Sequence, residues 1–385
     1  MNVFSRIEVN VYILRYPQFV HTSIQAYRTP DSQLVKLFCC GFYEEIMVVD
    51  PFSLEVLFRL SSRLNSDWIS AFHVIRPRNR QDDVVLAITT TGAVKVWTLN
   101  GDEEKTAASE PVLENESKQI RCVNAHALNC CVYNMRTVLI VAASYWSVYD
   151  AGDFTCLLSV DCRRGERWVG GEFISADRVC AWSDGGAAYL YKLPTNCIVE
   201  SKDFHNKSKF PPGTAKALLF CRLAMDRERP PLDCPPAFKY LIFSREGKWV
   251  KYLMRGDCEG RLSVWKIPET PECASMQLTS ESAGSEDDLS SLRPVLVNSL
   301  EEIWKAVKPP PVGVLNQLED EEDEEEEEEG GGALTATMFL PMQCRLVCGR
   351  DDGSIIMVPA TQAIMLHLLS GKHQNFTNWP QHQVQ

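Results

Sequence analysis

The stretch VVLAITTTGAVKVWT, residues 84–98, combines an apolar strand, a tight turn at Thr91-Gly92 and a second strand that ends on Val96-Trp97-Thr98. Glycine at such a turn supplies the positive φ that two antiparallel strands need where they are joined. The closing triplet has five counterparts along the chain. They are Val48-Val49-Asp50, Val148-Tyr149-Asp150, Leu190-Tyr191-Lys192, Val264-Trp265-Lys266 and Met357-Val358-Pro359. One strand–turn–strand unit therefore returns six times.

The spacing of these units predicts the fold class. The middle residues of the first four triplets lie about 42–52 residues apart, and the last two gaps are longer. Propeller blades recur every ~40–45 residues, and each blade is a four-stranded sheet that is stable only when stacked on its neighbours. The longer gaps are interpreted as the same period plus insertions. We therefore predict an all-β, WD40-type β-propeller with about six blade-like units, incomplete as a ring and interrupted by an acidic disordered insertion.

Charge is concentrated in one segment of the chain. The net charge is −12, and an unbroken run of eleven acidic residues at 319–329 supplies nearly all of it. The remainder is close to neutral, so it has no basic excess that would attract nucleic acid or an anionic membrane. Residues 1–20 lack the features of a signal peptide, and no apolar stretch approaches the ~20 residues of a membrane-spanning helix. These observations predict a cytoplasmic protein without direct membrane insertion.

The cysteines are predicted to be reduced thiols. There are fifteen of them, spread over a long chain without a secretion signal. Cys39-Cys40 and Cys130-Cys131 are neighbours within apolar strands, where adjacent side chains point to opposite faces and cannot share a metal. Cys344 and Cys348 come closest to ligand spacing, but no second pair or nearby His accompanies them. Two core thiols are therefore favoured over a zinc site.

Changes in composition along the chain indicate the domain boundaries. Prolines and charged residues mark residues 98–116 and 201–237 as surface loops inserted between strands. The predicted organisation is an unassigned segment at 1–20, propeller blades at 21–268, a linker at 269–333, a further blade at 334–373 and a tail at 374–385.

The linker contains one helical pattern. Ser299 and Glu302 have the spacing of a capping box, and three prolines at 309–311 end the pattern. We predict a short amphipathic helix here, which docks either on the chain's own propeller or in a partner's groove. The rest of residues 268–332, including the acidic run, is predicted to be disordered because like charges repel. The apolar residues at helical spacing are Leu296, Leu300, Ile303, Trp304 and Val307.

No catalytic constellation is visible, and no catalytic, cofactor-binding or metal-binding residue is assigned. No cofactor is predicted, and the protein is not expected to be an enzyme. The paired acids Asp82-Asp83, Asp351-Asp352 and Glu44-Glu45 flank strands or turns and are explained by solvated turn chemistry. Trp97 and Trp265 occupy equivalent repeat positions and are predicted to pack the blades. Five less regular tryptophans are either core residues or contact anchors, namely Trp68, Trp146, Trp168, Trp182 and Trp249.

Several segments give the chain a more specific resemblance. They are His21-Thr22-Ser23-Ile24-Gln25, Asp67-Trp68-Ile69-Ser70, Glu116-Ser117-Lys118, SYWSVYDAGDF at 144–154, GGEFISADRV at 170–179, GDCEGRLSVWKIPET at 256–270 and RLVCGRDDGSIIMVPATQ at 345–362. In these segments the chain resembles the WD-repeat family of the beta subunit of rabconnectin-3. The long segments carry the resemblance far better than a Trp-Asp dipeptide does. Family members have further blades, a second propeller and a helical region, so the resemblance also suggests a fragment.

The resemblance implies a function that the residues alone do not disclose. Such proteins are cytosolic, associate peripherally with vesicle and endolysosomal membranes, and work with a rabconnectin-3 alpha-like subunit. They support assembly and activity of the vacuolar proton pump and are linked to Rab3 regulators. The expected role is a non-enzymatic scaffold of such a complex, with protein partners. The alternative is a generic propeller substrate receptor, such as a ubiquitin-ligase adaptor; a propeller hydrolase would need a metal or nucleophile cluster that the sequence lacks.

Overall fold

The computed structural model is almost entirely made of β-strands. It describes residues 21–28, 35–41, 43–63, 66–77, 81–101, 110–197, 216–224, 236–245, 248–269, 291–299, 333–340, 345–350 and 355–359. The chain divides into two compact units, residues 1–181 with 191–219 and residues 182–190 with 220–385. None of the helices formed by the described residues is long and apolar enough to cross a membrane.

The described strands form six sheets, which we label A to F. The first three follow the chain from its N-terminal side. Sheet A contains β1 (His21–Arg28), β2 (Val35–Gly41), β3 (Tyr43–Val49), β4 (Val56–Ser61) and β8 (Val112–Leu113) in that order. Sheet B contains β5 (Ile69–Ile75), β6 (Asp83–Thr89), β7 (Ala93–Leu99) and β9 (Glu116–Gln119). Sheet C contains β10 (Ala125–Cys130), β11 (Thr137–Ala142), β12 (Tyr145–Asp150) and β13 (Cys156–Asp161).

The other three sheets repeat this plan. Sheet D contains β14 (Trp168–Ser175), β15 (Arg178–Ser183), β16 (Ala188–Lys192), β17 (Leu218–Leu223) and β21 (Ser291–Leu292). Sheet E contains β18 (Ala237–Arg245), β19 (Lys248–Gly256), β20 (Arg261–Lys266) and β22 (Leu296–Ser299). Sheet F contains β23 (Leu334–Leu340), β24 (Arg345–Arg350) and β25 (Ile355–Pro359).

The sequence repeat corresponds directly to these sheets. Each of the six triplets lies in, or at the end of, the third strand of one sheet, so the repeated unit is confirmed. In sheets B, D and E the turn between second and third strands carries a glycine with positive φ, 91° at Gly92, 85° at Gly186 and 70° at Gly260. At Gly92 a Cβ atom would also lie 2.0 Å from the carbonyl oxygen of Cys122. Glycine is therefore required there by both conformation and space.

The turn between third and fourth strands is built in the same way in sheets A and C. The Asp50 carboxylate accepts hydrogen bonds from the amides of Phe52 and Ser53 at 2.8 and 2.7 Å. The Asp150 carboxylate likewise accepts one from the amide of Gly152 at 2.8 Å. An aspartate at the end of the triplet therefore caps the turn with its side chain, which explains why this residue type ends the triplet at these two positions.

The core of the first unit lies between consecutive sheets. One apolar cluster joins sheets A and B and includes Phe58, Leu60 and the buried Trp97; another joins sheets B and C and includes Val94 and Tyr149. Cys39 and Cys40 belong to different clusters, as alternation along the strand predicts. The twelve cysteines among the described residues are free thiols, as expected.

The helix prediction in the linker is wrong where the structure tests it. Residues Leu296–Ser299 form β22, which pairs with β20 as the fourth strand of sheet E. The side chain of Leu296 is buried there. A short apolar run does not distinguish a helix from a strand by spacing alone, and completion of a sheet outweighs the local pattern. The rest of the predicted helix and the acidic run lie outside the described residues.

Further interpretations need correction. The intervals 98–116 and 201–237 are not loop throughout, because Val112–Leu113 form β8 and Leu218–Leu223 form β17, the fourth strand of sheet D. Ser291–Leu292, in the segment predicted to be disordered, form β21. Asp83 is not a solvated turn residue, because it is buried and accepts hydrogen bonds from the Tyr27 hydroxyl at 2.6 Å and from Arg76 Nε at 2.7 Å. Its charge is compensated by a cation and a hydroxyl, which makes burial tolerable. Asp351 and Asp352 lie outside the described residues.

Candidate protein-binding surface

One end of sheet B is fixed by a carboxylate clamp. Asp67 precedes β5, and its carboxylate accepts hydrogen bonds from the Thr90 hydroxyl at 2.8 Å and from the Thr91 hydroxyl and amide at 2.7 and 3.0 Å. Partial burial opposes ionisation of Asp67, but these hydrogen bonds outweigh burial and lower its pKa to about 2. The clamp thus joins the segment before the first strand to the turn between the second and third strands.

The clamp presents an exposed tryptophan. The amide of Trp68 donates to the Asp67 carboxylate at 2.8 Å, and its carbonyl accepts from the amide of Thr90 at 2.9 Å. Despite this fixed backbone, 48% of Trp68 is exposed. The Thr90 carbonyl accepts from the amide of Asn124 at 2.9 Å, and the preceding residue, Val123, is 61% exposed. Two exposed apolar side chains therefore stand on loops tied to one turn, a combination typical of protein contacts.

Arginines accompany this surface in the equivalent connections of the first unit. Arg121 lies in the connection from β9 to β10, and Arg163, Arg164 and Arg167 lie in the connection from β13 to β14; all four are exposed. Burial and the charge of Arg167 both lower the pKa of His126 in β10. Arginine and tryptophan are the residues most enriched at energetically important contacts between proteins.

A groove forms a second candidate site on the first unit. It has a volume of about 320 Å³ and lies between the outer part of sheet B and the turn that joins β12 to β13. Lys118 in β9 donates a hydrogen bond to the carbonyl oxygen of Asp153 in that turn. Two segments that carry the family resemblance, at 116–118 and 144–154, thus meet at this groove. Its lining residues are Val94, Val96, Glu116, Ser117, Lys118, Gly152, Asp153 and Phe154.

A hydrogen-bonded network around the buried Lys95 links sheet B to the segments that follow β4 and β8. Lys95 is buried and donates to the Ser62 hydroxyl, which in turn donates to the Glu114 carboxylate at 3.0 Å. The other Glu114 oxygen accepts from the amide of Arg63 at 2.7 Å. Burial opposes ionisation of Glu114, but these hydrogen bonds and Lys95 lower its pKa. This network holds the segment after β8 against the end of β4, and sequence reasoning missed it because its members are far apart in the chain.

Most of the tryptophans described by the structure are buried. Trp97 and Trp265 are each 1% exposed, and their indole Nε1 atoms donate to the carbonyls of Ser61 at 3.1 Å and Leu292 at 3.2 Å. Their predicted packing role is confirmed. Of the less regular group, Trp146 and Trp168 are buried, and both contact the ring of Tyr191.

The remaining tryptophans and the cysteine pair are placed as follows. Trp182 stacks on Phe238 with ring centroids 5.6 Å apart. Among the less regular tryptophans whose side chains the structure describes, only Trp68 is exposed. Cys348 is a core thiol, and burial raises its pKa to about 12. Cys344 and the Trp249 side chain lie outside the described residues. No group of three or more potential metal ligands is found in the described part of the chain.

The fold and these surfaces define a class of protein. Repeated antiparallel sheets of this kind are a β-propeller, and the crystal structure of BBS1N in complex with ARL6DN, soaked with mercury, matches the chain with a TM-score of 0.51. The two chains are 10% identical, and the match covers 89% of this chain and 79% of that one. The predicted fold class, an all-β propeller, is thereby confirmed.

Sequence comparison points to more particular relatives. The chain is 27% identical over 335 residues to WD repeat-containing protein 72 of Homo sapiens, covering 87% of this chain and 29% of the relative. The Mus musculus protein of the same name is 27% identical over 346 residues, covering 87% of this chain and 30% of the relative. The chain thus spans less than a third of these relatives. No family model matches it. The comparisons support a WD-repeat propeller, and the rabconnectin-3 beta assignment stays a prediction.

Proposed function

We propose that this chain is a non-enzymatic scaffold or adaptor of a rabconnectin-3-like complex that regulates assembly of the vacuolar proton pump and vesicle acidification. Its partners are an alpha-like subunit, pump subunits and Rab3 regulators. It is cytoplasmic and associates peripherally with vesicle or endolysosomal membranes. The observation that carries the binding role is the exposed Trp68 on the Asp67 clamp, within a segment that resembles the family.

Physical arguments support a protein partner at this surface. An indole that keeps 48% of its surface exposed while its backbone is hydrogen-bonded on both sides loses little conformational entropy on binding. Burial of a large aromatic side chain contributes more binding energy than most other residues. The structurally similar BBS1N is itself in complex with another protein, ARL6DN, so a propeller of this architecture serves as a protein-binding module there.

The test is affinity capture from cells with the full chain and two variants as bait. Trp68→Ala removes the proposed anchor, and we expect recovery of the alpha-like subunit and of pump subunits to fall at least about tenfold, the effect of losing a hot-spot residue. Phe52→Ala is the matched control, because Phe52 is 54% exposed in a turn at the opposite end of its sheet. Recovery of a cullin adaptor in place of pump subunits would support the ubiquitin-ligase alternative and contradict the proposal.

A further inference from the structure

Two outer strands of the propeller are covered by the chain itself. In sheet A, β8 pairs in parallel with the outer strand β4, and in sheet D, β21 pairs in parallel with the outer strand β17. Each added strand is two residues long and belongs to the connection between the third and fourth strands of the next sheet, since β9 follows β8 and β22 follows β21. The same third strands carry the two repeat tryptophans: Trp97 donates to the Ser61 carbonyl at the end of β4, and Trp265 donates to the Leu292 carbonyl in the added strand β21.

The outer strand of sheet C is reached in a related way. The connection between the third and fourth strands of sheet D forms a one-turn 3-10 helix, Thr195–Cys197, which contacts β13. Its Cys197 side chain is buried. Three connections therefore return to the outer strand of the preceding sheet and cover it with an apolar side chain: Val112 against sheet A, Cys197 on sheet C and Leu292 on sheet D.

Sheet B departs from this pattern. The corresponding connection in sheet C is the tight turn after Asp150, which is too short to lay a strand along β9. Among the described residues, the link between this turn and β9 is the hydrogen bond that Lys118 donates to the Asp153 carbonyl. All four residues of β9 are exposed. The groove of about 320 Å³ lies beside β9, at the position where sheets A, C and D have a segment added to their outer strand.

We propose that this groove accepts an extended segment of a partner protein, which adds to β9 as a short parallel strand. The direction and length follow the chain's own added strands, β8 and β21. Addition of a strand to an open sheet edge is an established mode of peptide recognition, in which main-chain hydrogen bonds give affinity and side-chain pockets give specificity. This inference rests on the proposed scaffold function and names the chemistry of one contact.

The lining of the groove specifies the side chains of the segment. The apolar part of the lining is small, because Val94 and Phe154 are buried and Val96 is partly exposed, and it suits one branched apolar side chain. The carboxylates of Glu116 and Asp153 outnumber the single ammonium of Lys118, which already donates to a carbonyl. The segment therefore carries a Lys or Arg close to its apolar residue. An acidic segment would meet like charge.

The test uses the purified full-length chain and a phage-displayed library of linear dodecapeptides. We expect selected peptides to share a branched apolar residue with a Lys or Arg within two positions of it. The selected peptides, made synthetically, should slow hydrogen–deuterium exchange at the backbone amides of residues 116–119. Strand addition would engage these amides in hydrogen bonds with the peptide. Glu116→Lys should weaken their binding at least about tenfold, through loss of one attractive charge and gain of a repulsive one.

The control variant is Glu55→Lys, which reverses an exposed charge directly before the fourth strand of sheet A and should leave peptide affinity unchanged. Thermal unfolding checks that both variants are folded. Failure to select any peptide, selected peptides that bind Glu116→Lys equally well, or unchanged exchange at 116–119 would each overturn the inference. The peptide experiment contains no cellular component. Peptide binding at β9 would therefore support this inference even if capture from cells contradicted the proposed function, and absence of peptide binding would not contradict that function.

Discussion

At the scale of single residues, two buried tryptophans show how a hydrogen bond can distinguish side chains of similar burial. Trp97 is buried with its Nε1 atom 3.1 Å from the Ser61 carbonyl, whereas Trp146 is equally buried and its Nε1 atom has no partner among the described residues. Trp97→Phe removes volume and the hydrogen bond to the Ser61 carbonyl, so we expect a loss of about 2–4 kcal/mol in the free energy of unfolding. Trp146→Phe removes similar volume but no hydrogen bond, and should cost about 1–2 kcal/mol less. Urea unfolding of both variants measures the difference, and equal losses would show that the indole bond contributes nothing.

A partly buried histidine makes stability depend on pH. His73 lies in β5, and burial lowers its pKa to about 4, against a hydrogen bond with Asn129 that raises it. The unfolded state binds a proton at its usual pKa near 6.5, so stability is full above that value and is lost as pH falls towards 4. At pH 5 the loss amounts to about 2 kcal/mol. His73→Gln should flatten the stability profile between pH 7 and 5 (measured by urea unfolding), whereas His126→Gln, at an exposed imidazole, should flatten it less. An unchanged slope in His73→Gln would show that another group is responsible.

At the scale of elements, local signals predicted the third strands well and the outer strands poorly. The apolar triplets are local features of the chain, and in sheets B, D and E a turn glycine precedes them, so the six third strands could be recognised from sequence. The strands β8, β21 and β22 have only two to four residues, and their partners come from elsewhere in the chain. Such pairing is decided by tertiary contacts, and this explains why Leu296 was assigned to a helix. For the candidate sites, the resemblance pointed to the segments that contain Trp68 and Lys118. Their exposure and the hydrogen bonds of Asp67 required the structure.

At the scale of the whole molecule, the charge distribution separates folding from binding. The eleven acidic residues at 319–329 repel one another, and the rest of the chain is close to neutral. We expect that replacing all of them with Lys will leave the free energy of unfolding nearly unchanged, because exposed charges contribute little to stability. The replacement should nevertheless weaken any partner contact that is electrostatically steered, and the loss should shrink as salt is raised, because ions screen the interaction. Replacement of the run by serines of equal number separates loss of negative charge from gain of positive charge.

The decisive measurement of this charge effect is organelle acidification in cells that lack the endogenous protein. If the proposed function is right, the wild-type chain should lower lumenal pH, the lysine variant should do so least, and the serine variant should fall between them. A rescue that is equal for all three would mean that the run is only a spacer. The binding energy would then have to come from the fixed surface around Trp68 and from the β9 groove. In that case a single substitution at Trp68 or Glu116 should abolish the rescue, although changes in the acidic run do not. If the wild-type chain does not rescue acidification, the assay is repeated with a full-length relative, which is about three times as long. Absence of rescue by that relative as well would contradict the proposed role at the proton pump.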